Sequence, residues 1–114
     1  MRMWMVNPKI LCNKHLFGEH VETHMFVGTL KKKIKVNGYF TSNCFEPLSL
    51  KSRHEDLVVE IFRRSYNHQS PLTINDNLFD HLDNDQLTIK VDSCLSLKDL
   101  LSRCPLCLHN YNEM

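Results

Sequence analysis

Apolar side chains in the first third of the chain recur at close to helical spacing: Ile10, Leu11, Leu16, Phe17, Val21, Met25 and Phe26. Asn7-Pro8 supplies a start signal, a capping side chain followed by proline at the first helical position. A first long helix is therefore predicted from there to about Gly28-Thr29. Gly18 weakens it in the middle unless something packs close at that point. The run KKKIKVNGY (31–39) has no apolar period and contains Asn37-Gly38, so helix end and loop with exposed lysines are expected. The clearest pattern is EPLSLKSRHEDLVVEIFRRSYNH. Pro47 opens it, and Leu50, Leu57, Val58, Ile61 and Phe62 form the expected buried stripe. Arg53, Glu55, Asp56, Glu60, Arg63 and Arg64 are placed outside, with Glu60 and Arg64 paired at i,i+4.

Residues 69–91 lack a sustained period and are rich in Asn and Asp. They read as loop, with a short helical turn near Leu78–Leu82 and LTIKV as an extended segment lacking a clear partner. Asp92 or Ser96 can cap a last helix through LKDLLSR, ending near Cys104-Pro105. The expected fold class is all-α: a compact bundle of two long helices and a short C-terminal helix.

At 114 residues the chain is expected to be a single domain, 1–114, with a modest core. No apolar run approaches the ~18–20 residues that cross a bilayer, and the start MRMWMVNPK is too short for a signal sequence. A cytoplasmic protein with no membrane partner is expected. Five cysteines without a secretory context read as reduced thiols. Charge is unevenly divided. Residues 1–70 carry eleven Lys/Arg against six Asp/Glu, and residues 71–114 carry three against seven. A basic first part suits a polyanion partner, although a solvated surface explains it about as well.

Two groups of side chains invite chemistry. HLFGEHVETH (15–24) places His15, Glu19 and Glu22 on one helix face and His20 with His24 on another. A metal site there needs a matching set on a partner helix, and the second helix offers His54, Glu55 and Glu60 with no sign that they face inward. Locally satisfied polar residues are the residue-level alternative. The second group is Cys104-Pro105-Leu106-Cys107, with Cys94 before it and His109 after it. A single C-x-x-C with scattered partners is a weak zinc signal, and helix-end thiols are the expected reading, with no metal and no cofactor. Trp4 reads as a packing anchor, with base stacking as the alternative.

Over roughly residues 1–70 the chain resembles the pyrimidine-dimer DNA glycosylase family. The resemblance runs through Leu11-x-x-x-His15-Leu16-x-x-Glu19-x-x-Glu22, then Gly28, then Leu50-x-x-Arg53-x-x-x-Leu57-x-x-Glu60-x-x-x-Arg64. The segment SLKDLLSRCPLC is similar to that of small bacterial and phage members. The resemblance implies an all-α fold with an N-terminal arm threading between helices to the active site. It also implies a glycosylase with abasic-site lyase activity, acting as a monomer on double-stranded DNA with damaged or abasic sites. The nucleophile would be the α-amine of Met1, retained because Arg2 is bulky, and Glu22 would complete the site. An α-amine has a reference pKa of ~7.7–8.0, so a useful fraction is neutral near pH 7. Arg2 matches a DNA-contacting position, and His15 and Glu19 would assist or touch the sugar. Val21 and Met25 stand where a phage member has arginines that hold distorted DNA. Lys31, Lys32, Lys33 and Lys35 would take over phosphate contacts. A non-catalytic DNA-binding module and a small zinc-binding protein are the alternatives.

Overall fold

In the computed structural model, which describes residues 1–68 and 70–114, every regular element is helical. The chain runs through α1 (Asn13–Lys31), α2 (Asn37–Thr41), α3 (Leu50–Arg63), α4 (Asn84–Leu87), α5 (Ser93–Arg103) and α6 (Pro105–Asn112). Single 3-10 turns at Pro8–Ile10 and Pro47–Ser49 lead into α1 and α3. Both begin with the prolines that the sequence marked, since proline lacks an N–H that the first turn would leave unpaired anyway. The long helices α1 and α3 pack together, and α5 with α6 closes one end.

The molecule is thin, 41 × 31 × 17 Å, and its apolar interior divides in two. One cluster gathers Trp4, Val6, Ile10, Leu16, Leu57, Ile61 and Leu100 near the start of α1. The other gathers Met3, Phe26, Leu30, Val36, Phe45 and Leu50 near its end, with Phe26 stacked on Phe45 at 4.2 Å. Residues 3–6 of the arm feed both clusters. The arm is held by polar bonds as well: Met3 N–H donates to the Cys44 carbonyl (2.6 Å), Arg53 to the Val6 carbonyl (2.6 Å) and the Ser96 hydroxyl to the Trp4 carbonyl (2.6 Å).

Three helices stop in the same way. After α1, α2 and α3 the chain enters the left-handed region at Lys33, Asn43 and Ser65, with φ of 57°, 59° and 68°. In each case the next two amides fold back on the final turn, as in Ser65 N–H to Phe62 O (2.8 Å) and Tyr66 N–H to Ile61 O (3.1 Å). This is the Schellman arrangement, which usually recruits glycine.

Several expectations change. Asn37-Gly38 begins the short helix α2 instead of a turn. The helix capped by Asp92 ends at Arg103, just before Cys104-Pro105 as expected, but it is not the last: Pro105 restarts the chain as α6. On α3, Arg53 and Glu60 are buried and Phe62 is exposed. The cause is that α3 is covered on two sides, by α1 and by the 3-10 turn of the arm, so its buried arc extends into charged positions. The predicted Glu60–Arg64 pair forms at 2.7 Å, joined by Arg63 at 2.6 Å. LTIKV pairs with no strand, residues 76–81 form turns, and Gln69 of the expected loop lies outside the described residues. No helix among the described residues is long and apolar enough to cross a membrane.

Candidate functional site

One face of α1 carries Lys14, Gly18 and Glu22 at successive four-residue steps, so all three open onto the same groove. Arg2 and Trp4 of the arm form the opposite wall, and His15 and Glu19 complete a pocket of about 250 Å³. A methyl group added at Gly18 would meet no protein atom within 4 Å, so the groove is open at that point.

Glu22 is the half-buried carboxylate of this pocket. Burial raises its pKa above the ordinary glutamate value. The Arg2 backbone N–H, the Met1 amine and the Arg2 guanidinium pull it back down, while Glu19 pushes it further up. Such a carboxylate can hold a proton and shield a developing cation on a ligand in the groove.

The neighbours divide by role. Glu19 is fully buried, and both its oxygens are taken by Arg53, at 2.6 Å from Nε and 2.9 Å from Nη2. It serves to lock α1 to α3 and, through Arg53, to the arm. Arg2 stacks on the Trp4 ring (3.6 Å to its centroid) and pairs with Asp99 of α5 at 2.7 Å. Lys14 is exposed at the rim, and sequence reading did not single it out; its spacing from Gly18 and Glu22 was the available signal. Lys31, Lys32, Lys33 and Lys35 are all exposed at the far end of α1, and Val21 and Met25 are exposed beside Glu22.

Among the described residues, two clusters of potential metal ligands also form. On the α3 side of α1, His20 and His24 meet His54 and His68, with His20 Nε2 and His68 Nε2 2.8 Å apart. His54 is buried and faces inward, which its place in the sequence did not reveal. His20 is driven down to about 4, first by burial and then by the charges of His54, His68 and His24. The second cluster joins Cys12, His15, Cys104 and Cys107; Cys94 is exposed and takes no part in it. His15 is held below the ordinary histidine value by burial and Lys14, against Glu19. Burial pushes the Cys107 thiol up to about 12.

A larger and more apolar pocket of about 340 Å³ lies between the arm and α5–α6, lined in part by Met5, Val6, Ile10, Leu97 and Tyr111. Its lining is mostly apolar, whereas the smaller groove carries Glu19 and Glu22 together with Arg2, Lys14 and His15.

The fold and groove together define a small all-helical protein with a half-buried carboxylate in a cleft that Arg2 and Lys14 help to line. The family model described as pyrimidine dimer DNA glycosylase matches residues 1–74, and the chain belongs to that family of DNA-repair glycosylases. No curated protein and no solved structure matches it.

Proposed function

We propose that this protein is a DNA glycosylase with abasic-site lyase activity on pyrimidine dimers or related damaged bases, using the Met1 α-amine and Glu22. The observation that carries the reading is the Glu22 carboxylate set in the electrostatic reach of the N-terminal amine, inside a groove open to solvent. The neutral amine attacks C1′ of the damaged nucleotide. The glycosidic bond breaks, and the base leaves with the electron pair and takes up a proton. Loss of the amine proton and opening of the sugar ring give an iminium between C1′ and the Met1 nitrogen. Removal of a C2′ proton then sends its electron pair into a C2′–C3′ double bond and expels the 3′-phosphate. Glu22 shields the cation and relays protons. Arg2, Lys14 and the Lys31–Lys35 segment would supply phosphate contacts. Val21 and Met25, apolar and exposed beside Glu22, favour a lesion other than a cyclobutane pyrimidine dimer or a weak lyase activity.

Borohydride should trap a covalent adduct with DNA carrying an abasic site or a pyrimidine dimer, and the adduct should map to the N-terminal peptide. Acetylating the N-terminus should abolish trapping. Glu22→Gln should slow strand cleavage by about 10²-fold or more while DNA binding survives. An adduct that maps to a lysine would refute the nucleophile. DNA binding without trapping on either lesion would select the binding module.

A further inference from the structure

Cys12 and His15 are three residues apart at the start of α1, and Cys104 and Cys107 are three apart at the start of α6. Each pair is a helix cap plus a first-turn residue, so each presents two donor atoms to the same side. The fold brings these two knuckles face to face across a sequence separation of some ninety residues, and the four donor atoms all lie within 4.8 Å of one another. We propose that Cys12, His15, Cys104 and Cys107 form a closed structural zinc site.

The distances fit the ion. Zinc binds thiolate at about 2.3 Å and imidazole at about 2.0–2.1 Å in a tetrahedron, which sets S···S edges near 3.8 Å and S···N edges near 3.6 Å. Cys12 Sγ and Cys104 Sγ are 3.8 Å apart, and Cys107 Sγ and His15 Nδ1 are 3.6 Å apart. Cys12 Sγ and His15 Nδ1, at 3.1 Å, open by about half an ångström on coordination. None of the cysteines is in a disulfide. Backbone amides already point at the sulfurs, Cys12 N–H to Cys107 Sγ (3.2 Å) and Cys107 N–H to Cys104 Sγ (3.4 Å). Such outer bonds orient thiolate ligands and share their charge. The positive ends of α1 and α6 converge on the same point and favour thiolates there. Three sulfurs and one imbidazole nitrogen with no open position suit zinc in a structural role.

The site fastens α6, which lies outside the family-matched residues 1–74, to the first turn of α1. It also reaches the arm. His15 meets the Trp4 ring edge-on with centroids 5.7 Å apart, and Trp4 carries the Arg2 guanidinium. Through His15, which also lines the groove, zinc braces the groove's wall, and the site does not depend on the Met1–Glu22 reading.

Protein produced with zinc should contain one ion per chain by atomic emission. Cobalt exchanged into the wild-type protein should show thiolate-to-metal charge-transfer bands and tetrahedral visible bands. Cys12→Ser or Cys107→Ser should weaken zinc binding, in competition with a chelating dye, by more than the roughly 10–100-fold that loss of an outer-shell partner brings. Cys94→Ser and the double variant His20→Asn/His54→Asn should keep the metal. A wild-type cobalt spectrum without charge-transfer bands overturns the assignment, as does zinc retained in Cys104→Ser/Cys107→Ser. Metal lost only with the histidine variants would do the same, by placing it in the other cluster.

Discussion

Glu19 and Glu22 sit one turn apart on α1, yet their surroundings give them opposite work. Glu19 meets Arg53 in a two-pronged pair from which water is excluded. Glu22 faces the groove with the Met1 amine and the Arg2 N–H near it. A buried pair adds little net stability against an apolar replacement, but removing one partner strands a charge. Arg53→Met should therefore destabilise the protein by about 3–5 kcal/mol in urea unfolding. The double variant Glu19→Met/Arg53→Met should recover most of that loss. If the single variant costs under about 1 kcal/mol, the value of an exposed pair, the burial of Glu19 is misplaced.

Helix ends are the weakest feature of the elements read from sequence, because no glycine marks them. Lys33, Asn43 and Ser65 adopt positive φ where glycine would be free of strain. Asparagine tolerates that region; lysine and serine pay about 1–2 kcal/mol for it. Ser65 is exposed, and its backbone carries the stop of α3. Ser65→Gly should raise stability by about 1 kcal/mol, read as a higher denaturation midpoint with an unchanged denaturant slope. A lower midpoint would mean that the Ser65 side chain supports the turn. Pro105 marks the end of α5 as expected, and it also occupies the first turn of α6 under the Cys104 cap, which the sequence reading did not include.

For the whole molecule, charge and histidine placement set the response to solution conditions. His20 titrates near 4 in the folded protein, against an ordinary 6.5. The unfolded chain thus takes up the proton first as the solution becomes acidic. Stability is complete above about pH 6.5 and declines as pH falls toward about 4. The melting temperature of the wild type should drop more steeply across that window than that of His20→Asn under identical metal conditions. Parallel curves would remove the histidine cluster as the cause. The basic segment is tested by salt. If Lys31, Lys32 and Lys33 each neutralise a phosphate, their replacement by alanine should lower the log–log salt slope of DNA binding by about 0.9 per contact. An unchanged slope would take the segment out of the interface.

Periodicity alone located α1 and α3, because an apolar stripe at 3.6-residue spacing needs no partner to be visible. Asn7-Pro8 marked the 3-10 turn ahead of α1 and not α1 itself, which starts at Asn13 under Cys12, while Pro47 marked the turn into α3 and Asp92 the cap of α5, since capping is local chemistry. The proposed Met1–Glu22 pairing comes from the family resemblance, with the electrostatics of Glu22 beside it. Tertiary structure decided everything that requires two distant segments to meet. Arg53 and Glu60 looked like surface residues because each has its cover on another element. His54 gave no sign of facing His20, and His68 lay beyond the helix. Cys12-x-x-His15 and Cys104-x-x-Cys107 are each weak signals alone. Cys94 and His109 were nearer in sequence to the second pair, but proximity along the chain is not proximity in space. Only the docking of α6 against the start of α1 selects Cys12 and His15 as the partners.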